Sequence, residues 1–221
     1  MQRIPSAPSI SRRSKIIAPK VEIVVACEGK VTEREYLESC KQEYGSGLVA
    51  LRFLPITGVP ITVVNAAIEE RERLLLEQRR SRNSFDVFRV WAVFDRDEHP
   101  RVNEAIELAK SNRIDIAFSN PCFEIWPLLH LINYGGQDDR HRIQRRLRAL
   151  MPQYDHENGA VIDFDLVKDK VDDAFNRSKS LLLQRETEGI PLGCPSTTVG
   201  ILVRKIIENG RGRFSRHNNN S

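Results

Sequence analysis

The stretch "VEIVVACEGKVTEREYL" (residues 21–37) decides how the rest of the chain is read. Its first seven residues form an almost unbroken, β-branched apolar run, as expected of a short strand buried on both faces. The run stops abruptly at Glu28 and Gly29. A helix follows: Thr32, with Glu35 three residues on, makes a capping-box pattern in which Thr32 accepts from a first-turn amide and Glu35 reaches back. Tyr36, Leu37, Cys40 and Tyr44 then share one helical face, and "YGSG" (44–47) ends it. A strand that buries Val24, Val25 and Ala26 and finishes in a carboxylate admits two readings. Glu28 is either an ordinary loop acid or a group held for chemistry.

Working outward, "VALRFLP" (49–55) reads as a second strand and 62–80 as a long amphipathic helix. "VFRVWAVFD" (87–95) is a third strand, 101–112 a helix and 114–119 a fourth strand. Strands alternating with helices predict an α/β fold, a mostly parallel sheet flanked by helices. From about residue 121 the pattern turns helical, with segments at 123–132, 138–150, 164–184 and 197–208. Ser196, Thr197 and Thr198 read as the N-cap region of the last. The expected organisation is a basic, disordered lead-in (1–19), one α/β domain with a helical C-terminal extension (20–208) and a flexible tail (209–221).

Composition narrows the classes. The chain has 221 residues, 40% of them hydrophobic, enough for one domain with a sizeable core. No run of about 18 apolar residues occurs, which argues against a membrane span. The first residues are basic and rich in Ser and Pro, without the apolar segment of a secretory signal. Four cysteines lack C-x-x-C spacing, so reduced thiols and a cytoplasmic location are expected. The five histidines are not spaced as zinc ligands. Neither a P-loop nor a G-x-S-x-G motif is present. The net charge is only +4, but "DDRHRIQRRLRAL" (138–150) concentrates Arg140, Arg142, Arg145, Arg146 and Arg148. Such a stripe suits phosphate contacts, and equally suits an exposed helix face.

Acids end two of the strands. Glu28 follows the first, and Asp95 and Asp97 follow the third. In open α/β sheets functional groups collect beyond the carboxyl ends of the strands. Alternation aims Asp95 and Asp97 the same way, with Arg96 opposite. Two adjacent carboxylates repel unless a proton or cation offsets them, and Mg²⁺ is a natural partner. Glu33 lies in the opening turn of its helix, where the dipole alone also favours an acid. Glu124 sits among Phe123, Ile125 and Trp126; it reads either as a further metal ligand or as a structural partner of an arginine. Lys30 and Arg96 are placed to meet a phosphate, whereas His99 reads as a solvated loop residue, with a proton shuttle the alternative, and His130 as packing.

"VVACEGKVTEREYL" (24–37) together with "WAVFDRDEH" (91–99) resembles the metal-binding signature of the toprim fold, shared by topoisomerases, primases and OLD-type nucleases. The E-G-x-x-T-E form is nearest to the nuclease branches. "SNPCFEIWPLLH" (119–130) and "CPSTTVGILVRKI" (194–206) are similar to the RloB-like family, and that resemblance extends over most of residues 20–208. It implies a toprim-like protein of bacterial phage defence and abortive infection, acting with an ABC/OLD-type ATPase partner. By the same resemblance Glu28, Asp95 and Asp97 are catalytic and metal-binding, and Glu33 is the additional nuclease-type acid. Glu124 joins the metal ligands, the cofactor is Mg²⁺ or Mn²⁺, and the reaction is phosphodiester hydrolysis of DNA or RNA. Lys30, Arg96, Arg142, Arg145 and Arg146 would contact the nucleic acid. A non-catalytic nucleic-acid-binding or regulatory subunit is the alternative, and a homo-oligomer stays open.

Overall fold

The computed structural model describes residues 19–29, 31–56, 58–80, 87–96, 99, 101–156 and 159–211. The expected lead-in, save its last residue, and most of the expected tail therefore lie outside the described residues. The chain runs β1 (Val21–Cys27), α1 (Thr32–Tyr44), β2 (Val49–Phe53), α2 (Pro60–Arg80), β3 (Val87–Asp95), α3 (Val102–Ser111) and β4 (Asp115–Asn120). The helical part follows: α4 (Ile125–Leu131), α5 (Arg140–Leu150), α6 (Phe164–Val167) and α7 (Val171–Thr187), then β5 (Ser196–Thr197) and α8 (Val199–Gly210). The architecture is the α/β sheet expected, with helices on both faces and a helical C-terminal part.

The strand order is β2-β1-β3-β4-β5. The first four strands are parallel, and β5 pairs antiparallel with the end of β4. Strand alternation divides the core in two. Ile23, Val25, Trp91 and Val93 face one side, where α1, α4, α5, α7 and α8 pack. Val24, Ala26, Val90, Ala92 and Phe94 face the other, covered by α2 and α3. The crossovers through α1 and α2 thus pass on opposite faces, because their apolar stripes are complementary to opposite faces of β1. The outer strand β2 carries Arg52, clasped by Glu22 of β1 (2.8 Å) and by Glu70 of α2.

Four local expectations need correction. Thr32 does not cap α1: Val31 occupies the cap position, its carbonyl accepts the Glu35 N–H (2.9 Å), and no side chain caps the helix. The segment read as one helix over 164–184 is α6, a 3₁₀ turn at Lys168–Lys170, and α7. The break falls where the Tyr44 hydroxyl donates to the Lys168 carbonyl (2.7 Å), an acceptor that a continuous helix would use internally. Ser196 and Thr197 form a strand instead of a simple cap, held to β4 by hydroxyl contact between Ser119 and Thr197 (3.1 Å) and by the Thr198 N–H on Phe118 O (2.8 Å). The Thr197 hydroxyl still accepts the Val199 N–H at 3.2 Å. Finally, α8 continues to Gly210, into what was expected to be tail.

Candidate active site at the carboxyl end of the sheet

β1 lies between β2 and β3, and the chain leaves β1 for α1 on one face and β3 for α3 on the other, so a crevice opens beyond the carboxyl ends of β1 and β3. The ladder continues one residue past β1, the Glu28 N–H donating to Val93 O (3.1 Å). Glu28 therefore leaves the sheet beside the end of β3, where Asp95 sits opposite Ser119 of β4. Asp95 continues the series Trp91, Val93 and so faces α1 and α4. Glu33 enters from the first turn of α1, and Glu124 from the turn between β4 and α4. These four carboxylates, from four separate segments, line one pocket of about 290 Å³ with Phe123, Arg140 and His156.

Each acid has its own support. The Asp95 carboxylate accepts the Phe123 backbone N–H at 3.0 Å. Phe123 is set by an edge-on contact with the Tyr36 ring (5.8 Å between centroids). Tyr36 in turn belongs to a closed polar triangle between α1 and α4. Trp126 Nε1–H donates to the Tyr36 oxygen (2.7 Å), His130 Nδ1 bonds the Trp126 carbonyl (2.9 Å), and the Tyr36 hydroxyl meets His130 Nε2 (3.4 Å). With Nδ1 carrying the proton, Nε2 is the acceptor, so all three groups are satisfied. Burial holds the His130 imidazole down to about 4, hence neutral, in keeping with its reading as packing.

Glu124 is buried and its Oε1 takes hydrogen bonds from Tyr154 (2.6 Å) and Gln144 of α5 (3.3 Å), with His156 Nδ1 3.2 Å away. Glu28 Oε1 meets His99 Nε2 at 3.0 Å. Glu33 lies so close over Gly29 that a Cβ at residue 29 would fall 1.8 Å from its carboxylate oxygen. A side chain at residue 29 would therefore displace the Glu33 carboxylate.

The carboxylates act on one another. Burial pushes Glu33 up to about 7, with the charges of Glu124 and Glu28 adding to the rise, while its own backbone N–H and Arg34 oppose it. Asp95 is likewise held well above the usual carboxylate range, by burial first and then by Glu33 and Glu124. A set of acids in this condition takes up protons or a cation. Among the described residues no three His, Cys, Asp or Glu side chains form a compact cage for an ion. The donor set fits Mg²⁺ or Mn²⁺ bound through one or two carboxylates with water completing the shell, as hard octahedral ions prefer.

Of the residues singled out in the sequence, Glu28, Glu33, Asp95 and Glu124 come together here. Asp97 and Lys30 lie outside the described residues. Arg96 turns to the other face, toward Asn103 of α3 (3.4 Å), and does not line the pocket. The arginine stripe divides. Arg142 (3.3 Å) and Arg146 (3.0 Å) both reach Asp138, Arg146 also stacking on Tyr134, and Arg145 is exposed. It is Arg140, at the start of α5, that reaches the pocket. His156 and the Glu28 contact of His99 were not foreseen. His156 sits in a loop with no motif, so only the fold brings it to Glu124.

All four cysteines are free, three of them buried. Burial, with the nearby Glu124 and Asp95, raises the Cys122 thiol well above its ordinary value, which makes it an inert neighbour of the site. Among the described residues no helix is long and apolar enough to cross a membrane. No curated protein and no solved structure is detectably similar to this chain. The RloB-like protein family matches residues 23–206, most of the length, and the chain belongs to that family.

Proposed function

We propose that this protein is a divalent-metal-dependent nuclease of toprim type, hydrolysing phosphodiesters of DNA or RNA with Mg²⁺ or Mn²⁺. The observation that carries the reading is the convergence of Glu28, Glu33, Asp95 and Glu124 in one pocket at the β1/β3 crevice. An anionic substrate cannot approach four carboxylates unless a cation or protons offset their charge, since unit charges at 4 Å interact by about 4 kcal/mol near a protein surface. One or two of Asp95, Glu33 and Glu124 would hold the ion, water completing its shell, with Glu28 a ligand or a base. When bound, a divalent ion lowers the pKa of an attacking water and offsets charge on the phosphate. Glu28 would accept the proton of that water, and His99, in contact with it, would pass the proton to solvent. Arg140 would orient a phosphate at the pocket wall. The RloB-like resemblance adds a role in phage defence beside an ABC/OLD-type ATPase.

The test uses the full chain with single-stranded RNA, tRNA and duplex DNA, in Mn²⁺, Mg²⁺ or chelator, with and without such an ATPase. Metal-dependent cleavage abolished by Asp95→Ala is expected. Cleavage that persists in Asp95→Ala and Glu28→Ala removes the site. Binding that survives chelator with no cleavage in any condition replaces the nuclease by a regulatory nucleic-acid-binding subunit.

A further inference from the structure

A second pocket, of about 350 Å³, opens at the other end of the sheet, against the amino ends of β3 and β4. Its walls are Arg71 and Leu75 of α2, Phe88 and Arg89 of β3, Arg113 of the α3–β4 turn and Asp115 of β4. Three guanidiniums thus face one carboxylate over an apolar floor. The ion pair inside it, Arg89 with Asp115, is long at 3.7 Å and half exposed.

The other two arginines are unlike their neighbours. Arg73 of α2 is satisfied along its own helix by Glu70 and Glu77. Arg71, two residues earlier, has Ala67, Ile68, Leu74 and Leu75 at helical spacing, so no acid can reach it that way. Among the described residues the guanidiniums of Arg71 and Arg113 make no hydrogen bond or ion pair. Arg113 is also strained. It terminates α3 with φ +57°, a left-handed position that helices ordinarily give to glycine or asparagine. A cation suits a helix carboxyl end, but Lys110 already supplies one in the last turn of α3. The long side chain at 113 is thus kept against local preference and delivered to the pocket.

We propose that this pocket binds a phosphate-bearing nucleotide. Guanidiniums match phosphate oxygens in charge and in two-pronged geometry. Phe88 and Leu75 offer an apolar surface to a base, and Asp115 offers an acceptor to an amine or ribose hydroxyl. The volume falls in the range of small-molecule sites. The phosphate comes from a free nucleotide or from one residue of a strand. The pocket shares no lining residue with the carboxylate site, so the proposal does not rest on the nuclease reading.

Calorimetric titration of the full chain in chelator tests it, with ATP as one probe and a ten-nucleotide single-stranded RNA as the other. Arg71→Ala/Arg113→Ala is expected to weaken ATP binding at least tenfold and the RNA less. Arg101→Ala/Lys179→Ala, which removes two exposed charges elsewhere, should leave both unchanged. Arg113→Gly should weaken ATP binding while raising the melting temperature, which separates lost contact from lost folding. A tenfold loss confined to the RNA assigns the phosphate to a strand. Wild-type chain that binds neither probe, the Arg71/Arg113 variant binding both normally, or equal loss in the Arg101/Lys179 variant overturns the proposal. Glu28→Gln leaves ATP binding intact if the two pockets are independent.

Discussion

The two ends of the sheet are opposites. At the carboxyl end four acids crowd into one pocket, two of them, Glu33 and Asp95, pushed up by burial, and backbone N–H, tyrosine and histidine contacts surround the set. At the amino end arginines stand around an apolar floor, exposed or half-buried, two of them with no partner among the described residues. Buried acids in contact cannot be kept for solubility, because each destabilises the others. Exposed arginines can be, so at that end the informative facts are a missing partner and a strained backbone. The same question about charge is therefore answered by electrostatics at one end and by conformation at the other.

The largest effect expected from breaking this comparison is at the acidic end. Asp95→Ala or Glu28→Ala should lower metal-dependent cleavage at least about a hundredfold, the usual scale for losing an acid–base or charge-stabilising group. Arg71→Ala should leave it unchanged, measured as initial rates on one substrate. Next, Gly29→Ala places a methyl where the Glu33 carboxylate lies. Displacing that flexible side chain should reduce cleavage about ten- to a hundredfold while changing unfolding free energy by less than about 1 kcal/mol. A fold lost together with activity would show that Gly29 serves the chain turn instead of the acid.

How much of this was legible follows the same divide. The strand 21–27 and the strand ending at Asp95 could be read to the residue, since unbroken β-branched runs have sharp ends. Their terminal acids were therefore visible as candidates, and Glu33 and Glu124 with them. Arg140 was visible only as one of five arginines, because nothing in α5 distinguishes the turn that meets the pocket from those that meet Asp138. The break before α7 depends on a hydroxyl 124 residues away. The basic pocket was not legible at all. Its arginines come from mid-helix, a strand start and a helix end, three places with no common motif.

Two smaller effects sharpen the contrast. Between about pH 4.5 and about pH 7 folded Glu33 retains a proton that the unfolded chain has lost, so its contribution to stability falls as pH rises through that window. Glu33→Gln should flatten the fall and raise stability at pH 7 by on the order of 1–3 kcal/mol in chelator, read by denaturant melts. Added Mn²⁺ should stabilise the parent chain and not this variant. Smallest, Arg113→Gly should stabilise the fold by about 0.5–1 kcal/mol by relieving the positive φ. Acid removal at one end and arginine removal at the other would then both raise stability, each at the expense of a ligand.

The sheet's outer strands have a bearing on how the protein keeps company with itself at high concentration. β5 is two residues long and runs against its neighbour, and β2 is five residues long with Arg52 clamped between Glu22 and Glu70. Short, charged edges are poor templates for a further strand. A chain with so apolar a central β1 would otherwise be prone to stacking into fibres, and here the borders of the sheet serve as its protection against aggregation.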